Sequence, residues 1–260
     1  IYAVCGVIGG IVSGRVFKQL KGSNWVWNCV LTALVLPVPL CSVFFWVNSI
    51  AWGSNSTAAL PLTTILLVGC ILLFVHFPMI VVGVIVGRNI TDEFRPPCRT
   101  NKIAREIPAV MTWYRHPAIQ LIMAGFLPFS AIYIELHYIF AAIWGHKIYT
   151  LFGILYLAFI MLVIVTSFIT IALLYFQLTR EDHRWWWRSI FNGGSTGLFI
   201  FGYSFFYFFH RSNMDGFLQI SFYFGYTGIV SYAFFQMLGF IGLMSSFQFI
   251  TYIYGAVMTD

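Results

Sequence analysis

Apolar residues fall in long continuous runs divided by short polar stretches: Ile1 to Ser13, Trp25 to Trp52, Ala58 to Gly87, Pro117 to Trp144, Ile148 to Leu178, Ser189 to Phe209 and Phe217 to about Tyr254. A helix that spans a bilayer needs ~20 apolar residues, whereas barrel strands alternate polar and apolar positions over ~10. Unbroken runs therefore predict helices, which satisfy their own backbone polar groups within lipid. The pattern predicts an all-α, polytopic transmembrane helix bundle with about seven spans, the first of them truncated. Pro37 and Pro39 fall in the second run, Pro61 and Pro78 in the third and Pro128 in the fourth, and bends are expected there.

The polar stretches carry the orientation. Counted alternately, one side collects Arg15, Lys18, Lys21, Arg88, Arg95, Arg99, Lys102, Arg105, Arg115, Arg180, Arg184 and Arg188, and the other only Lys147 and Arg211. The positive-inside rule places the first side, and the C-terminus with it, in the cytosol. Asn89-Ile90-Thr91 then lies where no glycan is added, and Asn55-Ser56-Thr57 in a short turn against the membrane. Trp25, Trp27, Trp52, Trp113, Trp144 and Trp185 to Trp187 all sit at run ends, where indole rings favour the interface.

Composition adds an exclusion. The chain has 260 residues, 60% apolar and 8% charged, against ~25% charged in soluble domains, so a soluble globular fold is ruled out. The net charge of +6 resides in loops and reads as orientation, so no nucleic-acid partner is expected. Cys5, Cys29, Cys41 and Cys70 lie in apolar runs and Cys98 in a polar loop, with no CxxC pair, so neither a metal site nor a disulfide framework is indicated, and no cofactor is expected. The start at Ile1, inside an apolar run, suggests a piece of a longer protein.

Few groups inside the runs carry chemistry. Glu135 lies deep in the fourth run with His137 two residues on, and His76 stands beside Pro78 in the third. A charge at bilayer depth costs at least ~2.5–3.5 kcal/mol, so such residues are paired, neutral or beside a wet cavity. Two readings fit Glu135, His137 and His76: a polar clamp between helices, and a proton- or cation-responsive site. The pairs Gly10 and Gly14, Gly83 and Gly87, and Gly193 and Gly197 have small-xxx-small spacing, which suits packing within the bundle or reception of a helix from another protein. Arg184, Trp185, Trp186, Trp187 and Arg188 form an interfacial elbow and a candidate headgroup contact. HExxH, paired intramembrane aspartates and a Gly-rich Ser motif are all missing from the sequence, so no enzyme is expected.

Long strings carry a stronger signal: NSTAALP (Asn55 to Pro61), PPCRTNKIAREIP (Pro96 to Pro108), AGFLPFSAIYIELHYIFAAIWGH (Ala124 to His146), YFQLTREDHRWWWRS (Tyr175 to Ser189), GGSTGLFIFGYSF (Gly193 to Phe205) and SFYFGY (Ser221 to Tyr226), with KGSNWVWN (Lys21 to Asn28) before them. By these the chain resembles the nonaspanins, the transmembrane 9 superfamily of nine-spanning endomembrane proteins. The resemblance implies that these are the last seven of nine spans, preceded by a signal peptide, a lumenal β-rich domain and two further spans. It implies a non-enzymatic protein of Golgi and endosomal membranes that assists the sorting and surface localisation of membrane proteins with glycine-rich transmembrane segments. The implied partners are membrane lipids, transmembrane cargo and coat proteins at the cytosolic C-terminus. The family's C-terminal Lys-x-Asp signal is degenerate here, since Met258 stands where Lys is expected before Asp260, and a coat protein would lose half of its electrostatic contact. The alternative function is a proton- or cation-coupled transporter or channel using Glu135 and His137.

Overall fold

A computed structural model describes residues 2–57, 59–91, 94, 96–97, 103, 106–107, 116–144, 151–211 and 216–256. Every regular element among the described residues is helical. Arg95, Arg99, Lys102, Arg105, Arg115, Lys147, Cys98, Met258 and Asp260 lie outside the described residues. Among the described residues, Trp25–Gly53, Leu62–Ile90, Pro117–Trp144, Phe152–Leu178 and Phe217–Ala256 are long and apolar enough to cross a membrane. The helices form two compact units, residues 1–95 with 217–225, and residues 96–216 with 226–260.

The first unit contains α1 (Tyr2–Gln19), α2 (Trp25–Leu34), α3 (Pro37–Gly53), α4 (Leu62–Ile71), a π-helical turn (Leu72–His76) and α5 (Phe77–Ile90). Proline marks the start of three of these elements. Pro37 stands at the start of α3, where its missing N–H costs nothing, and splits the second apolar run into two helices. Pro61 is extended and caps α4, so the third run becomes helical only from Leu62. The π turn comes directly before Phe77 and Pro78, and its extra residue loosens the backbone ladder where proline removes a donor.

Glycine holds α1 against α5. A Cβ on Gly10 would lie 2.6 Å from the Ile80 carbonyl oxygen, and one on Gly14 2.5 Å from that of Val84. The fit is reciprocal, because a Cβ on Gly83 would strike the Val7 carbonyl and one on Gly87 the Ile11 carbonyl. Without side chains at these four positions, the two backbones touch over two turns and gain dispersion contacts that lipid cannot supply. Cys29 and Ala33 of α2 pack with Ile80 and Val84 of α5 in a small core. A polar clamp ties α2 to α1, with Asn28 Nδ2 donating to Ser13 Oγ at 2.9 Å and Ser13 Oγ 2.7 Å from Thr32 Oγ1.

The second unit contains α6 (Pro117–Trp144), α7 (Leu151–Leu178), α8 (Trp185–Arg211) and most of α9 (Phe217–Ala256). Its glycines repeat the arrangement. A Cβ on Gly193 would lie 2.5 Å from the Leu238 carbonyl oxygen, one on Gly197 2.7 Å from that of Ser231, and one on Gly242 2.8 Å from that of Ser189. Ser195, Thr196 and Ser204 of α8 are buried. A helix lined by protein on this face can carry polar residues that a lipid-facing span cannot, which is why α8 is less uniformly apolar than its neighbours.

Gly83→Ala is expected to lower the unfolding stability of the full-length protein in detergent by about 1–3 kcal/mol through overpacking. Gly9, whose Cβ would meet nothing within 4 Å, is the control, and Gly9→Ala should change stability by less than ~0.5 kcal/mol. Thermal unfolding followed by circular dichroism checks both.

Candidate functional site

Within the second unit, α6 and α8 meet around one aromatic side chain. The Tyr203 ring lies 6.1, 5.5 and 5.4 Å from the ring centres of Phe129, Tyr133 and Phe140. These residues recur on one face of α6 at helical spacing, and their rings meet Tyr203 tilted or edge-on, arrangements that favour the ring quadrupoles. His137 shares that face and sits with Nδ1 3.0 Å from the Tyr203 hydroxyl oxygen. His137 therefore links α6 to α8 by a hydrogen bond across an apolar contact.

Glu135 does not join it. Two residues on a helix turn the side chain by about 200°, so the two groups point to different faces. Glu135 Oε2 is buried with no hydrogen-bond partner among the described residues. A charged oxygen so placed is costly, which makes Glu135 the least comfortable acid of the described spans. His76 belongs to the first unit, at the end of the π turn, where it is buried. A Cβ on Gly6 would lie 3.1 Å from its Nδ1, so Gly6 of α1 makes room for the ring.

The elbow between α7 and α8 is organised by Asp182. Its Oδ2 pairs with Arg188 Nη1 at 3.0 Å, and its Oδ1 accepts the Arg184 N–H at 3.1 Å. Gln177 Nε2 donates to the Arg184 carbonyl at 2.9 Å and closes the turn. Trp185 stacks on Phe247, while Trp186, Trp187 and Arg184 stay exposed. Of the two arginines suggested as headgroup contacts, Arg188 is thus engaged by a carboxylate and Arg184 faces outward.

Sequence reasoning missed a cavity. About 380 Å³ of space lies between α6, α7, α8 and α9 in the second unit, lined by Ile132, Leu136, Phe140, Leu162, Thr227 and Val230 among others. Its size is that of a small-ligand pocket, ~300–1,000 Å³. Four apolar helices contribute the lining, and nothing in their sequences separates these positions from lipid-facing ones. Tyr203 was missed for a related reason, since within GGSTGLFIFGYSF it is one aromatic among several.

Residues 1–217 match the family described as Endomembrane protein 70. The chain belongs to the Endomembrane protein 70 family. It is 51% identical over 260 residues to Transmembrane 9 superfamily member 4 of Arabidopsis thaliana, covering all of this chain and 44% of that protein. It is also 51% identical to Transmembrane 9 superfamily member 1 of Mus musculus, again over all of this chain and 43% of the other. At 38% identity it matches Transmembrane 9 superfamily member 10 of Arabidopsis thaliana, over 40% of that protein. The chain thus spans somewhat over two fifths of the length of the curated relatives it matches. No solved structure matches it. The resemblance to the nonaspanins holds, and the names of the family and its members are those of membrane proteins and not of enzymes. This member of the Endomembrane protein 70 family is an integral membrane protein.

For this family member, a double-mutant cycle between His137→Ala and Tyr203→Phe is expected to give a coupling of about 1 kcal/mol, the scale of hydrogen bonds between membrane helices. Additive effects on detergent unfolding would show that no bond is made.

Proposed function

We propose that this chain is the membrane module of a non-enzymatic protein that assists sorting and surface localisation of other membrane proteins in Golgi and endosomal membranes, with its C-terminus in the cytosol. The reading takes its support from family membership and from one structural observation, the bare flanks of the spans. Leu62–Ile90 is largely unburied along its apolar length, and Leu66, Leu67 and Phe74 stand out from it. Helix surfaces of this kind are what the chain offers to other transmembrane segments. Gly10, Gly14, Gly83, Gly87, Gly193 and Gly197 already touch helices of this chain, whereas Gly9, Gly69 and Gly202 face open space. Backbone-to-backbone contact with a glycine-rich cargo span would use these open positions.

In cells lacking the protein, the surface level of a cargo protein with a glycine-rich span should fall and be restored by the wild-type chain. Gly69→Leu with Gly202→Leu should fail to restore it while the variant accumulates and folds normally. Full restoration would remove these positions from the proposal.

The orphaned oxygen of Glu135 favours a second reading, a proton- or cation-coupled transporter or channel, because intramembrane acids without partners mark ion paths. It predicts flux in reconstituted vesicles that is lost in Glu135→Gln. Vesicles that pass no protons or cations under an imposed gradient would exclude it.

A further inference from the structure

The ends of two candidate spans come together in the first unit, where Trp25 opens Trp25–Gly53 and Ile90 closes Leu62–Ile90. Between them lies a cleft of about 320 Å³ lined by Phe17, Lys18, Lys21, Ser23, Trp25 and Arg88. Three cations converge on it. Lys18 Nζ donates to the Arg88 carbonyl oxygen at 3.0 Å, which ties the end of α1 to the end of α5 and leaves two ammonium protons unused. The Arg88 guanidinium lies over the Trp25 ring, 5.6 Å from its centre, in a cation–π contact.

Lys21 is placed by the chain itself. α1 ends with Gly22 N–H on the Phe17 carbonyl at 3.0 Å and Lys21 N–H on the Lys18 carbonyl at 3.1 Å. This is the closure that normally puts glycine in the left-handed position, yet Lys21 occupies it with φ 53°. A Cβ on Gly22 would crowd the Phe17 ring. Asn24 gives α2 no side-chain cap, so the first-turn N–H groups of α2 also lack that partner. Among the described residues no carboxylate pairs with Lys18, Lys21 or Arg88. Three like charges beside a helix N-terminus, at the ends of two apolar spans and with no paired carboxylate among the described residues, suit an anion.

We propose that this cleft holds the phosphate of an anionic phospholipid headgroup, with Lys18, Lys21 and Arg88 as its donors and Trp25 as the interfacial wall. The site shares no residue with the elbow at Arg184 to Arg188 and does not depend on the sorting role.

The test uses full-length protein in phosphatidylcholine nanodiscs doped with phosphatidic acid, with retained lipid measured by native mass spectrometry. Wild type should retain phosphatidic acid over phosphatidylcholine. Arg88→Gln and Lys21→Gly should each weaken retention about fivefold, the contribution of one cation near a membrane surface. Arg211→Gln, at the end of α8, should leave it unchanged. Lys21→Gly also relieves the left-handed backbone, so its melting temperature should hold or rise while retention falls, which separates binding from folding. Unchanged retention in Lys21→Gly and Arg88→Gln would overturn the proposal. So would inorganic phosphate displacing phosphatidic acid, which would assign the cleft to a soluble anion.

Discussion

Contact of bare helix backbones at glycine is the interaction on which both units depend. In lipid there is no hydrophobic force to push two helices together, because acyl chains are as apolar as leucine. What remains is dispersion between closely fitted surfaces. Glycine increases it by letting the helix axes come closer than the usual ~8–10 Å. The reciprocal fit of Gly10 and Gly14 with Gly83 and Gly87 uses this on α1 and α5, and Gly193, Gly197 and Gly242 use it on α8 and α9. Polar contacts then refine an association already made, as Asn28 and Ser13 do in one unit and His137 and Tyr203 in the other.

This division of labour bears on function. Glycines spent on internal contacts are not open to a foreign span, so any recognition of other helices falls to the outer flanks. Among the described residues, the groups suited to ion chemistry do not converge, since His137 is bonded to Tyr203 while Glu135 faces another side of α6. Charge among the described residues is instead concentrated at helix ends. There Asp182 engages Arg188, whereas Lys18, Lys21 and Arg88 have no such partner among the described residues.

Much of this was legible in the sequence, for physical reasons that differ from element to element. Long apolar runs fix helices because lipid permits an isolated span no other structure, and the runs at Pro117 and Phe217 became α6 and α9. Proline positions foretold interruptions, but Pro61 caps a helix and Pro78 follows a π turn, outcomes that depend on the surrounding backbone and not on the residue alone. Glycine spacing exposed which faces could be close-packed. It could not say that Gly10 meets Ile80 or that Gly193 meets Leu238, because partner choice rests on shape across elements distant in sequence. The same limit hid the cavity beside Leu136 and Phe140, and the pairing of Arg188 with Asp182 within its own elbow.

The central claim, that glycine brings these helices into backbone contact, is tested most directly by an electron cryo-microscopy map of the full-length protein in a lipid nanodisc. The account predicts α1 and α5 touching at Gly10 and Gly83, and α8 and α9 touching at Gly193 and Gly242, with no side chain or lipid density between them. Helix axes held ~10 Å apart by intervening side chains or acyl chains at either crossing would contradict it.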